Sequence, residues 1–203
     1  MKFARFISLL FHPLWMPLII YTVARSCDPF ILLPPAMNGF ILLLLVINIV
    51  APAVSILIMT KFGMISSIEL SQRNERMGPY LLVLFYFIMS FLVLRMKATF
   101  LPLEILNWFL AIILSLSLAQ VINQFWKISV HMLAQGGAFG MLLALQHLHN
   151  IPIMYFLAGS LLATGLTGYA RVKLDAHTPN QVYAGFLLGL VVTYVVVTSS
   201  WLA

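Results

Sequence analysis

Arg171-Val172-Lys173-Leu174-Asp175-Ala176-His177-Thr178-Pro179-Asn180-Gln181, running into Val182-Tyr183-Ala184-Gly185-Phe186-Leu187-Leu188-Gly189, is the stretch from which the chain is best read. It sets two fixed cations and an imidazole directly before a helix start. Thr178-Pro179-Asn180-Gln181 reads as a capping box, with Thr at the N-cap, Pro at the first helical position and Gln at the third. The residues that follow are apolar for the length of a membrane helix. Charge beside hydrocarbon is costly unless it has a partner or a task. Arginine and histidine at a helix N-terminus suit an anion, because the free backbone N–H groups there favour the same charge.

Outward from that stretch the chain is mostly hydrocarbon. Of its 203 residues 63% are hydrophobic and 8% are charged. A soluble domain carries about 25% charged residues. The composition implies an all-α polytopic transmembrane helix bundle, one domain over residues 1–203, with no room for a separate soluble domain. The net charge of +6 fits basic loops at lipid headgroups or a phosphate site. No basic run interleaved with aromatics supports nucleic-acid binding. The single cysteine, Cys27, excludes an intramolecular disulfide and a cysteine-rich metal site. The basic, apolar N-terminus lacks a small-residue cleavage site, so a cleaved signal peptide is not expected.

Seven stretches approach the roughly 17–25 apolar residues a span needs: Ile7–Ala24, Phe40–Thr60, Tyr80–Leu94, Leu101–Ile122, Val130–Leu145, Ile153–Tyr169 and Gln181–Trp201. The first carries His12, Pro13 and Pro17, so residues 1–36 are expected to be kinked or peripheral, and the count is six to seven spans. The polar connectors 61–79, 123–131 and 170–181 are each two spans apart. Two crossings return a chain to the same side, so the three connectors share one face. Orientation is undecided. Seven spans and the positive-inside rule put that face in the cytoplasm, and a first segment that does not span puts it outside.

Together the connectors offer Arg73, Arg76, Lys127, Arg171 and Lys173, with Ser129, His131 and His177. A phosphate monoester presents three non-bridging oxygens to donors that strengthen as charge shifts in the transition state. Arginines supply forked donors, lysine a point charge and serine a neutral hydroxyl. Two imidazoles divide the rest: one attacks phosphorus, the other protonates the leaving alcohol and then activates water. No carboxylate cluster points to a metal, and no cofactor is implied. His147 and His149 form a His-x-His pair on the other face with no further ligand in view. Gly136/Gly140 and Gly185/Gly189 are small-x-x-x-small pairs that suit helix packing.

The order and content of these connectors resemble the type 2 phosphatidic acid phosphatases and vanadium haloperoxidases. Arg171 followed six residues later by His177, then a Gly- and Leu-rich helix, resembles their third signature. Ile128-Ser129-Val130-His131 is similar to the second, normally Pro-Ser-Gly-His. Arg73-Asn74-Glu75-Arg76-Met77-Gly78-Pro79 resembles the first faintly, with altered spacing. The resemblance implies that His177 is the nucleophile and His131 the general acid/base. It implies that Arg171 and Ser129 hold phosphate, with Arg76 and Arg73 standing in for the basic residues of the first signature. Lys127 is a neighbour that the family pattern does not assign. The family usually has an aspartate four residues after the nucleophilic histidine; this chain has Gln181, whose carbonyl accepts an imidazole N–H without charge. Neutralising an orienting acid costs serine proteases on the order of 10⁴ in rate, through a wrong tautomer. Two readings follow. One is a bacterial inner-membrane phosphatase for a lipid phosphate or polyprenyl diphosphate, metal-free and working through phosphohistidine. The other is a lipid-phosphate binder or transporter of the same fold, which Gln181 favours.

Overall fold

The computed structural model describes residues 1–27, 38–67, 74–96 and 101–199. Among them every ordered element is helical: α1 (Lys2–Leu10), α2 (Met16–Cys27), α3 (Asn38–Lys61), α4 (Met77–Arg95), α5 (Leu103–Phe125), α6 (Val130–His149), α7 (Met154–Lys173) and α8 (Pro179–Thr198). Each apolar run of the sequence becomes a helix, and the first becomes two. Pro13 has no N–H to give and forces the residue before it out of helical backbone. His12 accordingly sits at φ −65°, ψ 141°, and a single 3₁₀ turn, Pro13–Trp15, links α1 to α2.

Five segments of the described residues are long and apolar enough to cross a membrane: Lys2–Cys27 taken across its break, Gly39–Lys61, Met77–Arg95, Leu103–Phe125 and Pro179–Thr198. The face of α3 that carries Leu42, Leu43, Val46, Val50, Val54 and Leu57 is exposed hydrocarbon, as lipid contact requires. α6 and α7 fall outside this set because their sequences are diluted by Gly, Gln, Ser and Thr. Those polar groups meet each other. Gln135 on α6 is fully buried; its amide nitrogen donates to Thr167 Oγ1 at 3.3 Å, and its carbonyl accepts from Thr164 Oγ1 at 3.4 Å, both on α7. A similar bond ties α3 to α4, Asn48 Nδ2 to Ser90 Oγ at 2.6 Å. Such interhelical bonds are available where no water competes.

The closest helix pair is α6 with α8. A Cβ added at Gly136 would collide with the Phe186 carbonyl, and one at Gly189 with the Leu133 carbonyl. One at Gly185 would collide with the Ser129 carbonyl, at the very start of α6. The four glycines therefore let two backbones touch, as their spacing suggests, and they hold the N-termini of α6 and α8 side by side. Those two helix starts carry His131 and His177.

Candidate functional site

The two ends of the α7–α8 connector are brought together by local geometry. The amide of Ala176 donates to the Arg171 carbonyl at 3.1 Å, and that of Asp175 to the Val172 carbonyl at 3.0 Å. Asp175 takes the left-handed conformation, φ 52°. This is the Schellman ending of a helix, with aspartate where glycine is usual. It turns the chain back so that the His177 amide also reaches the Arg171 carbonyl, at 3.3 Å. The six-residue spacing from arginine to histidine is thus the length of one helix stop.

Gln181 then fixes the His177 ring. Its side-chain oxygen accepts from the Thr178 amide at 3.2 Å and lies 3.0 Å from His177 Nδ1. An amide N–H can only donate, so the atom between them is the carbonyl oxygen, and Nδ1 must carry the ring proton. The capping box and the histidine contact are served by one oxygen. Nε2 is left with a lone pair. Burial, and after it the cations Arg76, Arg171 and Lys127, push the His177 pKa down from 6.5 to about 3, against the opposing Gln181 bond. The ring is neutral at physiological pH, in the form that can attack an electrophile.

A cavity of about 820 Å³ opens at this end of the bundle. Arg76, Lys127, His131, Arg171 and His177 all line it, so the three connectors meet on one space. Arg76 closes the 3₁₀ turn before α4, is 4% exposed, and donates to the Ile128 carbonyl at 3.4 Å. It also hydrogen-bonds Tyr80, one turn on. Lys127 is half-buried in the α5–α6 connector; burial holds its ammonium below the ordinary lysine pKa, and Arg76 and Arg171 add to that. His131, in the first turn of α6, lies in the electrostatic range of both Arg171 and His177. The lining holds the side-chain cations Arg5, Arg76, Lys127 and Arg171 against a single carboxylate, Asp175. Below this charged mouth the walls are largely apolar, with Ile20, Ile56, Val83, Phe87 and Ile112.

Ser129 is not brought to the cavity. It is wholly enclosed at the N-cap of α6, its carbonyl faces Gly185, and its hydroxyl has no hydrogen-bond partner. Arg73 falls outside the described residues. Lys173 ends α7 without joining the lining.

The first segment supplies three residues that sequence reasoning passed over. Arg5, Ser8 and His12 line the cavity. The Ser8 carbonyl lies 3.2 Å from His131 Nε2, and the Ser8 hydroxyl accepts from Arg171 Nη1 at 3.4 Å. The His12 ring meets that of His131 edge to face, centroids 5.3 Å apart. A histidine before proline in an apolar run was the available signal. It marked a break, and the break is what turns this segment over the site.

No group of three or more His, Cys, Asp or Glu side chains stands together among the described residues. The donors on the cavity are those that grip an anion: forked guanidinium groups, an ammonium and imidazoles. The chain matches no family model, no curated protein and no solved structure.

Proposed function

We propose that the protein is an integral membrane phosphatase that hydrolyses a lipid phosphate or polyprenyl diphosphate through a phosphohistidine on His177. The observation that carries this reading is the cavity itself. Three cations surround an imidazole with a bare Nε2 at its mouth, and hydrocarbon lines its depth. The mouth suits a tetrahedral anion and the depth suits an acyl or prenyl chain. The resemblance to the type 2 phosphatidic acid phosphatases points the same way. α6 and α7 serve as further spans in this reading: at 20 residues each they are about 30 Å long, the thickness of a bilayer core.

Arg76, Lys127 and Arg171 hold the non-bridging oxygens and neutralise the charge that gathers on them. Nε2 of His177 forms a bond to phosphorus as the bond to the leaving oxygen breaks. His131, neutral at rest, takes the proton of the bound phosphate monoanion, gives it to that oxygen and is neutral again. It then takes a proton from water, whose oxygen attacks phosphorus; the N–P bond breaks, and phosphate and His177 are released. Gln181 holds the Nδ1 proton throughout. Its dipole stabilises the charged phosphohistidine ring less than a carboxylate would, and so turnover is slow, with the tautomer correct.

The neutral Gln181 also favours a second reading, a lipid-phosphate binder or transporter that does not turn over. One assay separates the two. Purified protein in mixed micelles with a lipid phosphate is expected to release inorganic phosphate, and His177→Ala and His131→Ala are expected not to. Equal release by all three proteins defeats the phosphatase reading. Binding of labelled lipid phosphate that Arg171→Ala weakens, with no release by the wild type, establishes the second.

A further inference from the structure

We infer that Ser8, in the N-terminal helix, is a positioning residue of the site: its main-chain carbonyl sets the tautomer of His131 and its hydroxyl steers Arg171. The inference rests on the function proposed above and extends it to a residue outside all three signature-like connectors.

In an unbroken α1 the Ser8 carbonyl would accept from the amide of His12, four residues on. Pro13 holds His12 in an extended conformation, and the His12 amide turns to the Leu9 carbonyl instead, at 3.3 Å. The Ser8 carbonyl is thereby released in the last turn of α1, where carbonyls seek outside donors. His131 Nε2 fills that place at 3.2 Å. A carbonyl oxygen only accepts, so Nε2 carries the proton and Nδ1 of the neutral ring keeps the lone pair. His131 and His177 are then opposite tautomers. His177 has Nδ1–H and a bare Nε2; His131 has Nε2–H and a bare Nδ1. Each is pinned by a neutral oxygen, Gln181 Oε1 in one case and Ser8 O in the other.

That arrangement suits the work proposed for His131. Nδ1 is the nitrogen that takes a proton from water and passes one to a leaving oxygen, while Nε2–H stays on Ser8. The carbonyl end of α1 also favours the ring when it is positive. The Ser8 hydroxyl, 8% exposed with its residue, accepts one Arg171 N–H and so fixes the direction of the guanidinium. α1 is held in place for this by Ala4 and Ile7 packed on Ala170, with Phe11 and Leu174 beside them.

The test uses the full-length protein in micelles, with ¹⁵N-labelled histidine and ring signals assigned through His131→Gln and His177→Gln. Replacing Leu9 by its α-hydroxy acid turns the Ser8–Leu9 amide into an ester, whose carbonyl is a weaker acceptor; the Leu9 side chain is 66% exposed and stays in place. The same change at Phe6, which weakens the Arg5 carbonyl inside α1, controls for the loss of one helical amide. In the unaltered protein His131 is expected as Nε2–H and His177 as Nδ1–H. The Leu9 ester is expected to mix the His131 tautomers, leave His177 unchanged, and lower kcat about tenfold with KM unchanged, whereas the Phe6 ester leaves both the tautomers and kcat unchanged. Ser8→Ala, which keeps the carbonyl, is expected to raise KM several-fold and leave kcat within about twofold. A His131 ring that is Nδ1–H from the start, or that ignores the Leu9 ester, overturns the inference. Tautomers that shift as stated in a protein that releases no phosphate sustain the placing of Ser8 and remove the phosphatase reading instead.

Discussion

Helix α6 carries a histidine at its start and two at its end, about 24 Å apart along the axis, and the two ends treat the imidazole differently. At the far end His149 pairs with the Glu104 carboxylate at 3.3 Å, and His147 Nδ1 lies 2.7 Å from the Tyr194 hydroxyl. Each ring there has a partner on a neighbouring helix, and the His149–Glu104 pair is partly open to solvent. At the near end His131 faces a carbonyl, another imidazole and two cation-bearing connectors. The cavity there lines up four cationic side chains and one acid. A pair satisfied within the protein needs no ligand. A surplus of positive side chains on one cavity favours an anion from outside, and on that difference the near end is proposed as a site and the far end as a seam.

The largest effect that separates the ends is loss of the proposed nucleophile. His177→Ala is expected to lower phosphate release by on the order of 10⁴-fold or more, while His149→Ala leaves it within about twofold. Comparable losses from both variants would erase the distinction between site and seam. Next, Arg171→Ala is expected to cost about 10²–10³ in kcat/KM by removing a donor to the developing charge. Arg171→Lys recovers only part of this, because a point charge cannot reproduce the fork.

A third variant acts on the backbone contact that aligns the two helix starts. Gly185→Ala drives a methyl toward the Ser129 carbonyl, 2.5 Å from the ideal Cβ position. It is expected to destabilise the protein by about 1–3 kcal/mol in thermal unfolding and to lower activity with it. Gly165→Ala on α7 meets open space and is expected to be neutral or slightly stabilising. A tolerated Gly185→Ala would show that the helix starts are aligned by something else.

A further effect is a pH dependence of stability. The His177 pKa lies at about 3 in the folded protein, below the 6.5 of the free side chain. Between these values the unfolded chain binds the extra proton, so stability rises with pH across that window. The contribution is complete above about pH 6.5 and is lost as pH falls toward 3. His177→Gln is expected to flatten this part of the stability profile, measured as Tm against pH. An unchanged slope would place the acid sensitivity elsewhere in the molecule.

Much of this was legible in the sequence because it is local. The capping box at Thr178–Gln181, the small-residue pairs of α6 and α8, and the break at Pro13 all follow from short-range chemistry. The parity of connectors placed Arg76, Lys127, Arg171, His131 and His177 on one face, and they do line one cavity. Other features depend on contacts between remote segments. Ser129 has the spacing of a phosphate ligand, but the close α6–α8 approach encloses it. Ser8 is an unremarkable serine until the break re-aims its carbonyl across more than a hundred residues of chain to His131. α6 and α7, which the apolar runs alone suggest as spans, fall outside the five candidates because their Gly, Gln, Ser and Thr residues, of which Gln135, Thr164 and Thr167 bond each other, lower their hydropathy.

The most direct measurement is capture of the intermediate itself. The protein is mixed with ³²P-labelled lipid phosphate, quenched in alkali within the first turnover, and the labelled peptide mapped. A base-stable, acid-labile label is expected on His177, absent from His177→Ala and accumulating in His131→Ala if leaving-group departure still proceeds. Phosphate release by a wild type that carries no label, or a label that persists in His177→Ala, would contradict the phosphohistidine mechanism.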